Sequence, residues 1–185
     1  MVEIRVKGSV FLGVFQAIEI VGGWSAREAA VLALSGDDGD AVRTNTVLAS
    51  GWYPVAWHRA LLGGVIDRGG ALGLREVIHC ATRQNVGAVH RLLVRAFTPA
   101  LLIKQASRVF SSLFEGEFLV DIPESHLARV QWRGCKGFDK TCWLAQMHSM
   151  EALVAMSGAR IKRRTQLAGG GASDDSMTVE FSWHG

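Results

Sequence analysis

Two observations predict an α+β fold for this 185-residue chain. Apolar residues recur at helical spacing through about the first 115 positions, and from about residue 116 they alternate singly with polar ones. A third sets the order of the second half: four alternating runs bracket one amphipathic helix. Strand–strand–helix–strand–strand most simply makes a small antiparallel sheet with a helix packed on it. The length suits a single domain, with a helical part over about 8–115 and a sheet-containing part over about 116–185.

Val2, Ile4 and Val6 alternate with Glu3, Arg5 and Lys7, which predicts an opening strand. Gly8-Ser9 offers an N-cap to an apolar helix that runs to about Val21 and stops at Gly22-Gly23. Ser25-Ala-Arg-Glu28 has the form of a capping box, and the helix behind it ends at Gly36. Asp37-Asp-Gly-Asp40 is expected to be an exposed loop. Pro54 is placed at the first turn of a helix to about Asp67, where its missing amide costs nothing. Gly69-Gly70 separates that helix from one near Leu72–Thr82, and another is expected over about Asn85–Phe97.

Thr98-Pro99 caps a helix with Leu102, Ala106, Val109, Phe110, Leu113 and Phe114 on one stripe, ended by Gly116. Phe118–Asp121 and Leu127–Trp132 read as strands. Asp139 is the natural N-cap of a helix that carries Trp143, Met147, Met150 and Val154 on one face and closes at Gly158. Arg160–Leu167 and Met177–Trp183 alternate again, joined by the Gly169–Asp175 turn.

Composition bounds the function. Hydrophobic residues make up 49% and charged residues 20%, enough for a substantial core. With 20 Lys+Arg against 17 Asp+Glu the net charge is +3, too mild for a nucleic-acid partner to be expected. Cys80, Cys135 and Cys142 are odd in number and lack a CxxC pair. Met1 is followed by alternating charge rather than a leader, so a reducing, cytoplasmic setting is expected. Val10–Val21 is broken by Gln16 and Glu19 and falls short of the roughly 20 apolar residues of a membrane span, so no transmembrane segment is expected.

No HExxH or GxSxG is present, and the histidines are scattered. Arg160-Ile-Lys-Arg-Arg164 places Arg160, Lys162 and Arg164 on one face of a strand, with Glu180 of the next strand expected opposite. Gly169–Asp175 precedes a strand rather than a helix and carries two aspartates, so it reads as a hairpin loop and not a phosphate cradle.

Trp132-Arg-Gly-Cys-Lys-Gly-Phe-Asp-Lys-Thr-Cys-Trp143 puts two tryptophans and two cysteines at a strand-to-helix corner. Such a corner either packs into the core or walls a ligand pocket. It could also pair Cys135 with Cys142, where Cys142 near a helix N-terminus would have a lowered thiol pKa. Trp132, Cys135, Phe138, Cys142, Trp143 and Met147 are the candidate ligand-binding residues. Cys135, Cys142, His148 and His126 lack the spacing of a zinc site, so no metal is expected. Gly51-Trp-Tyr-Pro-Val-Ala-Trp57 carries rings suited to a half-wet surface, which makes Trp52, Tyr53 and Trp57 candidate interface residues.

The order of elements resembles the superfamily of haem nitric-oxide-binding domains, 4-vinyl-reductase-type small-molecule-binding domains and Bet3-type trafficking subunits. Val6-Lys-Gly-Ser-Val-Phe11, Phe97-Thr-Pro99, Leu113-Phe-Glu-Gly116 and Trp132-Arg-Gly-Cys135 resemble an uncharacterised paralogous family of myxobacterial proteins of about this length. The haem-binding members are expected to use an axial histidine and a Tyr-x-Ser-x-Arg motif. The only tyrosine here is Tyr53, followed by Pro54-Val-Ala-Trp57, so that motif is missing and His90 stands alone on its helix. No cofactor is therefore expected. The function expected is a non-catalytic sensor or adaptor that binds a small apolar ligand or a protein partner, with a homodimeric structural scaffold as the alternative. A cysteine-dependent enzyme ranks below both, because no base or oxyanion device can be placed beside either thiol.

Overall fold

The computed structural model describes residues 3–34, 36–85 and 97–184. Val2, His90 and the helix expected over residues 85–97 lie, apart from that helix's two ends, outside the described residues.

The chain opens with β1 (Arg5–Lys7), α1 (Gly8–Ala33) and α2 (Asp37–Arg43), followed by β2 (Trp52–Pro54) and α3 (Val55–Asn85). After the undescribed stretch come α4 (Pro99–Leu113), β3 (Glu117–Glu124), β4 (Leu127–Arg133), α5 (Lys140–Met156), β5 (Arg160–Gly169) and β6 (Met177–His184). The expected α+β architecture is present: a helical first half, then one four-stranded antiparallel sheet in the order β3-β4-β6-β5, with α5 connecting β4 to β5. On β4, Ala128, Val130 and Trp132 face the core. On β6 the core side is Met177, Val179, Phe181 and Trp183. That is the single alternation the sequence shows.

The expected helix breaks at the two glycine pairs are present: α1 is two helical segments meeting at the non-helical Gly23 (φ 76°, ψ −177°), and α3 is two meeting at Gly70 (φ 60°, ψ −163°). A glycine takes these angles without the Cβ clash another residue would meet, so each pair interrupts the helix and redirects it. Three other local expectations need correcting. Pro54 is not in a helical turn. It ends β2, paired opposite Arg5 of β1, and Val55 starts the helix by donating its amide to Ile4 O at 3.0 Å. Proline's fixed φ suits a strand end as well as a first helical turn, and here pairing with β1 decides.

Asp37–Asp40 is helical rather than a loop, because Asp37 sits at the favourable N-terminal end and Arg43 reaches back to Asp40 at 2.6 Å. Finally, Ser9 does not cap α1. Lys7 holds the cap position without a side-chain bond, and the amides of Gly8 and Ser9 donate to Gly51 O and Ala49 O at 2.9 Å each.

β5 also departs from its expected register. Register shifts between Ile161 and Arg163, and between Gln166 and Ala168, break the face on which Arg160, Lys162 and Arg164 were expected to align. Glu180 lies opposite Thr165 and pairs with Arg129 of β4 at 3.2 Å, while Arg164 turns to α5. One hydrophobic core joins the two halves, running from Phe11 and Leu62 through Ile103 and Phe114 to Trp132, Trp143 and Phe181. α1, at 26 residues, is long and apolar enough to cross a membrane by length and composition. Its Phe11, Val14, Phe15 and Ile18 are buried in that core, and the chain breaks direction at Gly23.

Candidate functional site

The corner between β4 and α5 forms as its sequence suggests. Asp139 caps α5 and accepts the Cys142 amide at 2.8 Å. The Cys135 amide donates to Asp175 O at 2.8 Å, and Trp143 Nε1 donates to Gly171 O at 3.1 Å, so the β5–β6 hairpin closes over the corner. Trp132, Cys135, Phe138, Cys142 and Trp143 are all at most 2% exposed, and Met147 is 8% exposed. Their rings interlock: Phe138 meets Trp143 at 4.8 Å, Trp132 meets Phe118 at 4.8 Å, and Phe114 meets Phe138 at 5.9 Å between centroids. The structure brings the six candidate ligand-binding residues together as a filled corner, with side chain against side chain.

The thiols behave accordingly. Burial pushes both Cys135 and Cys142 up to about 12, aided by Asp175 at Cys135 and Asp139 at Cys142. The lowered pKa expected of Cys142 from its place in the first helical turn is overturned. Desolvation of the thiolate outweighs the helix end, and the capping carboxylate adds a like charge. All three cysteines are free.

Below the corner lies His58, 2% exposed, edge-on to Phe114 at 6.1 Å, with no hydrogen-bond partner for Nδ1 among the described residues. Burial pushes it down to about 4, and nearby Asp139 opposes that shift only in part. His58 is therefore a neutral core side chain.

The candidate interface residues are engaged within their own chain. Tyr53 stacks on Trp57 at 5.0 Å, Trp57 meets Phe11 at 6.3 Å, and Lys7 Nζ lies 4.5 Å from the Trp52 ring centre. The Tyr53 hydroxyl accepts the Leu48 amide at 2.8 Å. All three rings are half-buried.

Open space lies elsewhere, between the two kinked helices. A cavity of about 120 Å³ is walled by Ile18 and Val21 of α1 and by Val65, Gly69, Gly73 and Val77 of α3, with almost wholly apolar sides. Val21 is shared with a second, more open cavity of about 290 Å³, lined otherwise by Arg75, Glu76, His79 and Arg83. They adjoin at Val21 as a half-open cleft, with an apolar end, where Arg68 also lies, and a charged mouth. Arg75, His79 and Arg83 recur every four residues along α3 and so share a face, a spacing the sequence displays. The inner end leaves no such trace, because much of its wall is glycine: a Cβ at Gly69 or Gly73 would meet nothing within 4 Å.

The cleft mouth connects to the sheet through Glu151 of α5. Its Oε2 lies 3.1 Å from Arg75 Nε, 3.1 Å from His148 Nδ1 and 3.7 Å from His79 Nε2, and its Oε1 accepts from Arg164 of β5 at 2.7 Å. Burial alone would raise this carboxyl. The hydrogen bond from His148, with His79 and Arg75 beside it, outweighs burial and holds it well below the usual carboxylate range. No metal was expected, yet His79, His148 and Glu151 offer ligand atoms within 4.8 Å of one another. Two guanidinium groups already occupy the same carboxylate, and they repel a dication. The cluster is suited to an ion-pair clasp joining α3, α5 and β5.

No family model and no curated protein matches the chain. Its fold is similar to that of solved H-NOX (haem nitric oxide/oxygen-binding) domains. The Fe(II) unliganded H-NOX protein from K. algicida aligns with a TM-score of 0.68 at 9% identity, with 97% of each chain covered. An oxygen-binding H-NOX domain related to soluble guanylate cyclases aligns at 0.68 and 10% identity, over 97% of this chain and 95% of that one. The S. oneidensis H-NOX protein aligns at 0.67 and 10% identity, over 97% of this chain and 96% of that one.

Haem, however, does not fit the described residues. The seam between helices and sheet is filled by Phe110, Phe114, Phe118, Trp132, Phe138 and Trp143, each at most 6% exposed. The buried His58 faces the edge of a phenylalanine and not a cavity. The chain also lacks the Tyr-x-Ser-x-Arg motif.

Proposed function

We propose that this protein is a non-catalytic sensor or adaptor module that binds a small, largely apolar ligand in the cleft between α1 and α3. The observation that carries the reading is the cleft itself: an apolar pocket of about 120 Å³ beside a charged one of about 290 Å³, the two meeting at Val21. The larger pocket lies at the small end of ordinary small-molecule sites, and a few polar groups gather there. The likeness to an oxygen-binding domain adds a fold that binds a small molecule elsewhere. Cleft occupancy would reach the sheet through the contacts of Arg75 and His79 with Glu151 and of Glu151 with Arg164. Its three free thiols support a reading in a reducing compartment.

Native mass spectrometry of protein purified from its own host is expected to show a bound mass below about 300 Da. Thermal-shift screening with small apolar compounds should find stabilisers. No adduct and no stabiliser would refute the reading.

A partner-binding role is favoured by one separate observation. Ile20, Trp24 and Leu72 beside the cleft are 57%, 59% and 76% exposed, an apolar rim that a contact would cover. A monomer at high micromolar concentration by light scattering would rule out self-association there.

A further inference from the structure

We infer that the start of β5 is a docking edge for an extended acidic segment of a partner protein, which lies along the strand and sets carboxylates against Arg160, Lys162 and Arg163. Register, charge and an open ladder each contribute.

Register gathers the cations. On β6 the side chains of Met177, Val179, Phe181 and Trp183 are buried, so those of Ser182 and His184 point to the opposite, outer face of the sheet. Arg160 pairs with His184 and Arg163 with Ser182, which puts both arginines on that outer face. Lys162 is the extra residue between Ile161 and Arg163, where the register shifts. Arg164, opposite Phe181, points the other way and is held by Glu151. Arg160, Lys162 and Arg163 are all exposed, and none has a carboxylate within ion-pair distance among the described residues. Glu180, on the same face, lies opposite Thr165 and already pairs with Arg129.

These three side chains account for the charge of the whole chain. It has 20 Lys and Arg against 17 Asp and Glu, so setting them aside leaves 17 of each sign. The excess of +3 therefore sits in number on one strand end, with nothing beside it to neutralise it.

The ladder is open at the same place. β6 lies on one side of β5, no strand lies on the other, and no residue of β5 is buried. Such an edge offers backbone donors and acceptors to an extended peptide, and the side chains decide which peptide is admitted. Arg160 and Arg163 oppose β6 positions two apart, about 7 Å along the strand, which is the spacing of same-face side chains in any extended segment. A segment with an acidic residue at every second position thus matches both arginines. A second copy of this chain brings the same cations and is repelled. Nucleic acid lacks a stacking platform there: the exposed tryptophan and phenylalanine among the described residues are Trp24 and Phe97, both off the sheet. A bilayer lacks an anchor beside the cations, because Ile161 lies opposite the core-facing Trp183 and the exposed Leu167 lies beyond Gln166, at the second register shift.

The experiment is fluorescence anisotropy on the full 185-residue chain at low salt, with a dye-labelled eight-residue peptide in which glutamate alternates with valine. The comparison probes are the same peptide with glutamine for glutamate, a labelled oligothymidylate of eight nucleotides, and phosphatidylglycerol vesicles. The glutamate peptide is expected to bind about tenfold tighter than the glutamine peptide and to lose that advantage at high salt. Arg160→Gln, Lys162→Gln and Arg163→Gln should each weaken it about twofold, and the triple variant should bring it to the level of the glutamine peptide, with an unchanged melting temperature. The three separate variants carry the test if the triple one does not fold. Arg68→Gln, an exposed cation on α3, should leave binding unchanged. Amide hydrogen exchange within β5 should slow when the glutamate peptide is bound.

No binding of the glutamate peptide up to millimolar concentration, or equal binding of the glutamate and glutamine peptides, would overturn the inference. Oligothymidylate or vesicles bound more tightly than the glutamate peptide, and released in the triple variant, would overturn the protein partner in favour of that polyanion. Glutamate-peptide binding with β5 exchange unchanged would overturn the placement along the strand.

Discussion

Replacing His58 with phenylalanine should remove one proton's worth of acid sensitivity from the fold. His58 is 2% exposed, and burial pushes it down to about 4 from an ordinary 6.5. The unfolded chain takes up that proton near pH 6.5, whereas the folded chain refuses it until about pH 4. In that window the unfolded state binds more protons, so stability falls as pH falls and the loss is complete below about pH 4. Between pH 7 and pH 4.5 the linkage relation gives a loss of about 2 kcal/mol from this residue, at 1.36 kcal/mol per pKa unit.

Asp139 is the charged neighbour that acts on His58, and it works in the opposite direction. Glu151, held low by its cationic neighbours, contributes its own loss only as pH falls below the ordinary carboxyl value of 4.5, outside most of the window. His58→Phe keeps a flat ring against Phe114 and removes the unpartnered Nδ1. The variant should match or exceed the parent at pH 7, because an unsatisfied buried nitrogen costs about 1 kcal/mol or more. Urea unfolding of both proteins at pH 7 and pH 4.5 is the assay. The difference between their stabilities should change by about 2 kcal/mol across the two conditions. If parent and variant lose stability in parallel, His58 is not a buried neutral side chain and the reasoning fails.

Further outcomes follow from the corner and the clasp. Cys135 and Cys142, both pushed up to about 12, should resist iodoacetamide at pH 8 in the native protein and react once it is unfolded. Peptide mapping that finds either modified at the rate of an exposed cysteine would contradict their burial. Asp139→Ala removes the side-chain acceptor of the Cys142 amide and should cost about 1 kcal/mol by chemical denaturation, with Asp139→Asn close to neutral. Glu151→Gln leaves Arg75, Arg164 and His148 without their shared anion and should cost about 2 kcal/mol at pH 7. The cost should shrink as pH drops below the ordinary carboxyl range, because protonation then removes the same charge from the parent. A cost that stays constant down to pH 3 would show that the carboxylate charge is not what holds the clasp.

The sheet was legible because alternation is a one-residue signal. Ala128, Val130 and Trp132 on β4, and Met177 to Trp183 on β6, declare their buried side directly. The Asp139 cap and the Thr98-Pro99 helix start were legible for the same local reason. The breaks at Gly22-Gly23 and Gly69-Gly70 were legible too, because a glycine pair marks each directly. What failed were decisions that tertiary contacts make. Pro54 fits two conformations, and the β1 partner selects one.

The site divides along the same line. The aromatic corner was legible as a place, but whether its rings leave a hole depends on volumes meeting in three dimensions. Phe110, Phe114 and Phe118 complete the filling from a stretch that sequence reading treats as separate elements. The cleft escaped notice because side chains that are missing, at Gly69 and Gly73, mark no pattern.

The irregularities of the sheet margins also bear on how the protein behaves when crowded. β3 and β5 are the outer strands, and each offers unpaired backbone groups to any neighbouring molecule. β3 carries Pro123 and a register shift between Asp121 and Glu124, while β5 carries two shifts together with Arg160, Lys162 and Arg163. A strand approaching either border meets a missing donor, a kinked ladder or several exposed cations, each of which disfavours the flat template that seeds fibrils. The defects in the ladder thus double as a guard against aggregation.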